Sequence, residues 1–180
     1  MDIQIRISVP DDVCQIREVQ RITWLCTYPN DKYMISKKDI AEVFQADLTP
    51  IGKEKMEERK KRYENLNTCI WVAENDHKII GFCAAQKEIN KNRIGAIYLI
   101  PDYQGKGVGK LLIKQALAWL GKEKNIYVNV VQYNTQAINF YKKVGFVETG
   151  KNGTFDTVAT LPNGKKLPEI ELVIKIAGRN

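Results

Sequence analysis

Ile94-Gly95-Ala96-Ile97-Tyr98-Leu99-Ile100-Pro101-Asp102-Tyr103-Gln104-Gly105-Lys106-Gly107-Val108-Gly109-Lys110-Leu111-Leu112 is the stretch that decides the fold. The apolar run Ile94 to Ile100 reads as a buried strand stopped by Pro101. Three alternate glycines, Gly105, Gly107 and Gly109, then open a helix with Val108, Leu111, Leu112, Ala116, Trp119 and Leu120 along its buried face. Backbone N–H groups without side chains around them approach a ligand closely, and a helix start adds unpaired donors and the positive end of its dipole. Such a turn suits a phosphate or pyrophosphate, and it also suits a purely structural bend. It is not a Walker loop, because Lys110 is followed by Leu111 rather than Ser or Thr. It is not a dinucleotide fingerprint either, because the spacing is G-x-G-x-G rather than G-x-G-x-x-G.

Upstream, Thr68 to Ala73 and Lys78 to Gln86 read as two strands of a hairpin turning at Glu74-Asn75-Asp76-His77. His77 falls in that turn as a lone exposed histidine. At the N-terminus Ile3, Ile5, Ile7 and Val9 alternate with polar residues, the period of a half-buried strand. Pro10-Asp11-Asp12 then starts a helix marked by Val13, Ile16, Val19 and Trp24, and Ser36 with Asp39 caps a second. Lys53 to Glu64 is a solvated, charged helix. Downstream, Ile126 to Val131 is a strand, Ala137 to Lys143 a helix ended by Gly145, and the tail holds two or three strands near Phe146–Thr149, Phe155–Thr160 and Glu169–Ile176. Without repeat or linker, residues 1–180 are expected to form one α/β domain.

Composition narrows the partners. Lys plus Arg (28) exceeds Asp plus Glu (21), a net charge of +7 that favours anions without naming one. Coenzyme A and nucleic acid both qualify, but no aromatic-and-basic strand motif of the RNA-binding type is present, so no nucleic-acid partner is expected. No apolar run reaches the ~18–20 residues that span a bilayer, and the N-terminus lacks a signal-peptide layout. A cytoplasmic protein without a membrane partner is expected. Cys14, Cys26, Cys69 and Cys83 form no C-x-x-C pair, so reduced structural cysteines and no metal are expected.

Gln104-Gly105-Lys106-Gly107-Val108-Gly109 resembles the Q/R-x-x-G-x-G/A signature of the GNAT superfamily of N-acetyltransferases. Asn134-Thr135-Gln136-Ala137-Ile138-Asn139-Phe140-Tyr141-Lys142-Lys143-Val144-Gly145-Phe146 resembles that family's second motif, N-x-x-A-x-x-F-Y-x-x-x-G-F. The two stand in the order the family requires, with a helix and a strand between them. The resemblance implies a GNAT-like domain: a mixed twisted sheet of about seven strands flanked by helices, with acetyl-coenzyme A in a cleft between two splayed parallel strands. Those would be Ile94–Ile100 and Ile126–Val131.

The resemblance further implies that the main chain of Tyr98, Leu99 and Ile100 pairs with the pantetheine arm and that the amides of Gln104, Gly105, Lys106, Gly107, Val108 and Gly109 receive the pyrophosphate. Lys106 and Lys110 add charge or merely solubilise the helix, Asn134 and Asn139 contact the arm, and Lys143 reaches the nucleotide phosphates. Tyr141 would protonate the departing thiolate, since a phenol of pKa ~10 keeps its proton at neutral pH; as a bare pattern it is equally a core aromatic. The attacking amine must be neutral, and deprotonating a lysine-like amine at pH 7 costs roughly 4–5 kcal/mol. Many relatives carry a glutamate where this chain has Arg93. Glu88 is a substitute base, and backbone carbonyls with ordered water are another route. The pattern is similar to bacterial polyamine and protein N-acetyltransferases. The acceptor is then a small-molecule amine such as a polyamine, with Asp31, Asp39, Glu42 and Asp47 as candidate counter-charges, or a protein amine; an acyl-CoA-binding module without turnover also stays open. A homodimer is compatible with the resemblance.

Overall fold

The computed structural model describes residues 2–153 and 160–176. One sheet runs through it in the order β1-β2-β3-β4-β5-β7-β6. Its strands are β1 (Gln4–Ile7), β2 (Thr68–Asn75), β3 (Lys78–Lys87), β4 (Asn92–Leu99), β5 (Ile126–Val131), β6 (Val147–Gly153) and β7 (Glu169–Ile174). Every neighbouring pair is antiparallel except β4 and β5, which are parallel. The expected tail strand over Phe155–Thr160 falls, apart from Thr160, outside the described residues.

Helices cover both faces: α1 (Val13–Thr27), α2 (Lys37–Gln45), α3 (Pro50–Lys61), α4 (Val108–Leu120) and α5 (Thr135–Val144). Alternation along the strands divides the core. Trp71, Cys83 and Ile97 pack with α4 and α5, while Val72, Phe82 and Tyr98 pack toward α1. Leu112, Ile113, Ala116 and Leu120 bury the inner face of α4, each large aliphatic contributing about 1.5–3 kcal/mol by leaving water. Leu111, expected on that face, is 48% exposed: it sits one position round the helix, and Ile113 takes its place.

Local chemistry explains the boundaries. Asp39 N–H donates to Ser36 Oγ (3.1 Å) and Ser36 N–H to Asp39 Oδ2 (2.8 Å), a closed capping box for α2. The β2–β3 hairpin turns on Asp76 and His77, both at positive φ, as a tight hairpin with right-handed strand twist demands. β1 lies at the edge of the sheet, and only its first half is covered. Ile3 and Ile5 pack against the core, whereas Ile7 and Val9 are exposed despite their alternation.

Candidate active site

β4 and β5 pair only through Asn92–Ile94 and Ile126–Val128. Opposite β3, Ala96 pairs with Ala84 and Ile94 with Ala85, so Gly95 is an extra residue, a bulge that bends β4. Beyond it the two parallel strands part. A cleft of about 800 Å³ opens there, lined by both strands, α1, the glycine turn and α5.

The glycine turn presents bare amides to one end of this cleft. Gly105 (φ 73°) and Gly107 (φ 86°) adopt left-handed backbone, and a Cβ on either would meet nothing within 4 Å. They are glycines because of backbone conformation rather than crowding. Gln104 N–H is already bonded to the Pro101 carbonyl (3.0 Å) and Lys110 N–H to Gly107 (3.0 Å). Among the described residues no backbone acceptor meets the amides of residues 105–109, and of these Gly105, Gly107 and Gly109 line the cleft. Gln104 has a different task from the one expected: its Nε2 donates to the Leu99 carbonyl (2.8 Å) and its Oε1 accepts from Gln136 Nε2 (2.9 Å). It staples β4, the turn and α5 together. Gly109 lets α5 approach, with Phe140 Cε2 3.4 Å from where a Cβ would stand.

The expected main-chain contacts divide by strand alternation. Ile100 N–H donates to Ile80 on the β3 side (2.9 Å), so its amide is not open to the cleft. Two residues earlier, Tyr98 has the same orientation, and its carbonyl lies against Gly81. Leu99, between them, turns its main chain to the cleft. The Tyr98 ring instead faces α1, its hydroxyl 3.3 Å from that of Tyr28 and its ring beside Phe82 and Trp24.

Gly105, Gly107, Gly109, Lys110, Asn134, Asn139, Tyr141 and Lys143 all line the cleft, as do Tyr98, Leu99 and Gln104. Ile100, Lys106 and Val108 are not among the lining residues. Val108 is buried in the core, and Lys106 Nζ stands over the Tyr103 ring at 5.5 Å. Asn134 caps α5 through its Oδ1, which accepts from Ala137 N–H (3.0 Å), leaving the Nδ2 hydrogens as its remaining donors. Tyr141 is buried edge-on against Phe140 and Phe146 while reaching the cleft floor. Burial first, then the nearby Cys83 and Tyr98, push its pKa well above the usual phenol value, so it stays protonated at neutral pH.

Glu88 is also outside the lining. It follows the end of β3 and faces Arg93 Nε (3.3 Å) and Lys91 Nζ (3.9 Å). The acid that does line the cleft is Glu169, at the start of β7, 9% exposed. Burial raises its pKa to about 7, against the pull of Arg93 and a hydrogen bond from Asn129. The sequence carried only a weak signal for it: Glu169 and Glu171 alternate with Ile170 and Leu172 after Pro168, which reads as the polar positions of a half-buried strand. Trp24 and Tyr28 of the α1 end, also lining the cleft, carried no such signal, because aromatics at helical spacing read as core.

A family model described as the acetyltransferase (GNAT) family matches residues 37–146. The chain is 34% identical over 105 residues to the peptidyl-lysine N-acetyltransferase YjaB of Salmonella typhimurium, covering 58% of this chain and 63% of that protein. It thus spans less than two thirds of that relative's length. It is 29% identical over 159 residues to the spermidine N(1)-acetyltransferase of Thermoplasma acidophilum, covering 86% of this chain and 94% of that one. The crystal structure of PaiA N-acetyltransferase from Thermoplasma acidophilum in complex with coenzyme A has the same fold, with a TM-score of 0.72 over 97% of this chain and 99% of that chain, at 24% identity.

Proposed function

The chain belongs to the GNAT acetyltransferase family, and from that premise we propose that residues 1–180 work as one N-acetyltransferase domain moving an acetyl group from acetyl-coenzyme A to a primary amine of a small molecule, by direct attack in a ternary complex. One observation carries it: the free amides of the glycine turn and the protonated Tyr141 open into the same cleft.

The residues present fit the coenzyme. Open space beside Gly105 and Gly107 admits a diphosphate to the amides of Gly105, Gly107 and Gly109, with Lys110 and Lys143 adding positive charge. The N–H of Leu99, whose own carbonyl is taken by Gln104, and the side chains of Asn134 and Asn139 would bond the amide-bearing arm, all three residues lining the cleft. Bound there, acetyl-coenzyme A supplies an activated thioester. Tyr141 holds a proton at its hydroxyl and donates it to the sulfur that leaves. The aromatic wall of Trp24 and Tyr28 excludes water at the acceptor end.

The counter-charges expected for a polyamine are elsewhere. Asp47 is bound to Arg17 (2.6 Å) and Arg59 (3.5 Å), Asp39 serves the α2 cap, and neither Asp31 nor Glu42 lines the cleft. A protein lysine is the second reading, favoured by the likeness to YjaB. A thiol-release assay with acetyl-coenzyme A and a panel of a monoamine, spermidine and a lysine peptide separates these. Turnover with one class is expected. Coenzyme binding without turnover on any amine would leave an acyl-CoA-binding module, and no binding at all would sink the assignment.

A further inference from the structure

Among the described residues lining the cleft, Glu169 is the one carboxylate, and the same lining holds the cations Arg93, Lys110 and Lys143. It opens β7 opposite Val131, the last residue of β5. Nine-tenths of it is buried, yet its Oε2 has no hydrogen-bond partner. An unmade hydrogen bond on a buried carboxylate is costly, so its persistence points to a donor that arrives with a ligand. The groups around it do not fill that place. Asn129 of β5 makes one hydrogen bond and Arg93 of β4 is the near cation. The hydroxyls of Tyr28, which ends α1, and Tyr98 feel its charge but pair with each other. Thr23, Trp24 and Thr27 complete the α1 side of the cleft without adding charge.

Resting on the acetyltransferase reading above, we propose that Glu169 is the general base that deprotonates the acceptor's ammonium group, and that as the sole carboxylate among the described lining residues it selects an acceptor bearing one positive charge over a polycation. The arriving ammonium supplies the missing donor to Oε2. One N–H proton passes to the carboxylate, giving a neutral amine and a carboxylic acid. The amine lone pair then forms the N–C bond at the thioester carbon as the C–S bond breaks, and the sulfur takes the Tyr141 proton. The second proton shed by the nitrogen restores Tyr141, and the Glu169 proton leaves to solvent as the one proton released per turnover. A carboxyl held near neutrality by its surroundings both takes and releases a proton at pH 7. A polycation would bring further charges against Arg93 with no second acid among the described lining residues to meet them.

The test measures kcat/KM against pH with 2-phenylethylamine, 2,2,2-trifluoroethylamine and spermidine, for the wild type, Glu169→Gln and Glu169→Asp. Wild-type kcat/KM with phenylethylamine is expected to rise through an apparent pKa near 7. Glu169→Gln should lose that limb and fall about 100-fold, with coenzyme A affinity within about threefold. The loss should shrink below about tenfold for trifluoroethylamine, which is already neutral at the assay pH, and Glu169→Asp should keep the limb at reduced rate. Spermidine should trail phenylethylamine by at least about tenfold. An active wild type matched by Glu169→Gln in rate and pH profile overturns the base assignment alone, and a preference for spermidine overturns the charge selection. A wild type that binds coenzyme A but acetylates no amine overturns the acetyltransferase reading instead. Carboxyl 13C NMR of the wild type needs no variant: a Glu169 midpoint near 7 supports the proposal, and one at the ordinary glutamate value overturns it.

Discussion

Glu169→Gln should make the protein more stable above neutral pH, and the size of the gain follows from where the carboxyl sits. Its pKa rises from 4.5 to about 7 in the folded state, chiefly because burial deprives the ionised form of water. Between these values the folded protein binds more protons than the unfolded chain, so stability falls as pH rises from about 4.5 to about 7 and is level beyond. The full shift corresponds to about 3 kcal/mol, an upper value for a group that keeps the partial company of Arg93 and Asn129. Glutamine has nearly the shape of the protonated acid and never ionises. The variant and wild type should therefore melt together near pH 4.5, and the variant should gain up to about 6–12 °C by pH 8. Asp12 and Glu18, held below their ordinary range by hydrogen bonds from Arg6 and Arg21, titrate alike in both proteins and drop out of the difference. Differential scanning calorimetry at pH 4.5, 6, 7 and 8 reads it. A difference that stays flat with pH would mean the carboxylate is solvated, and the reasoning from burial would be refuted.

Tyr141→Phe keeps the ring packed against Phe140 and Phe146 and removes only the acid. Turnover should fall more than about tenfold, while coenzyme affinity by calorimetric titration and melting temperature barely change; an unchanged rate would remove Tyr141 from the chemistry. Gly107→Ala meets no steric obstacle, but at φ 86° it must strain or flip the turn. About 1–2 kcal/mol of stability and about tenfold or more in coenzyme A affinity should be lost together, and an unaltered affinity would detach the turn from diphosphate binding.

Much of this protein was written in its local sequence. The Ser36–Asp39 cap, the strand over Ile126–Val131 and the glycine-opened helix are set by interactions a few residues long, so periodicity and turn chemistry predict them. The same holds for the donor turn and for Tyr141, whose spacing on α5 brings the hydroxyl to the cleft floor. Other features depend on which elements become neighbours. The Gly95 bulge that parts β4 from β5 exists only as a mismatch of register with β3, and the amides of Gln104 and Ile100 are taken by Pro101 and Ile80 rather than left for a ligand. Glu88 and Glu169 look alike as carboxylates beside strands. Only the packing of β7 between β5 and β6 decides that the first meets Arg93 and Lys91 while the second is desolvated against the cleft, because burial and charge proximity are properties of space rather than of order along the chain.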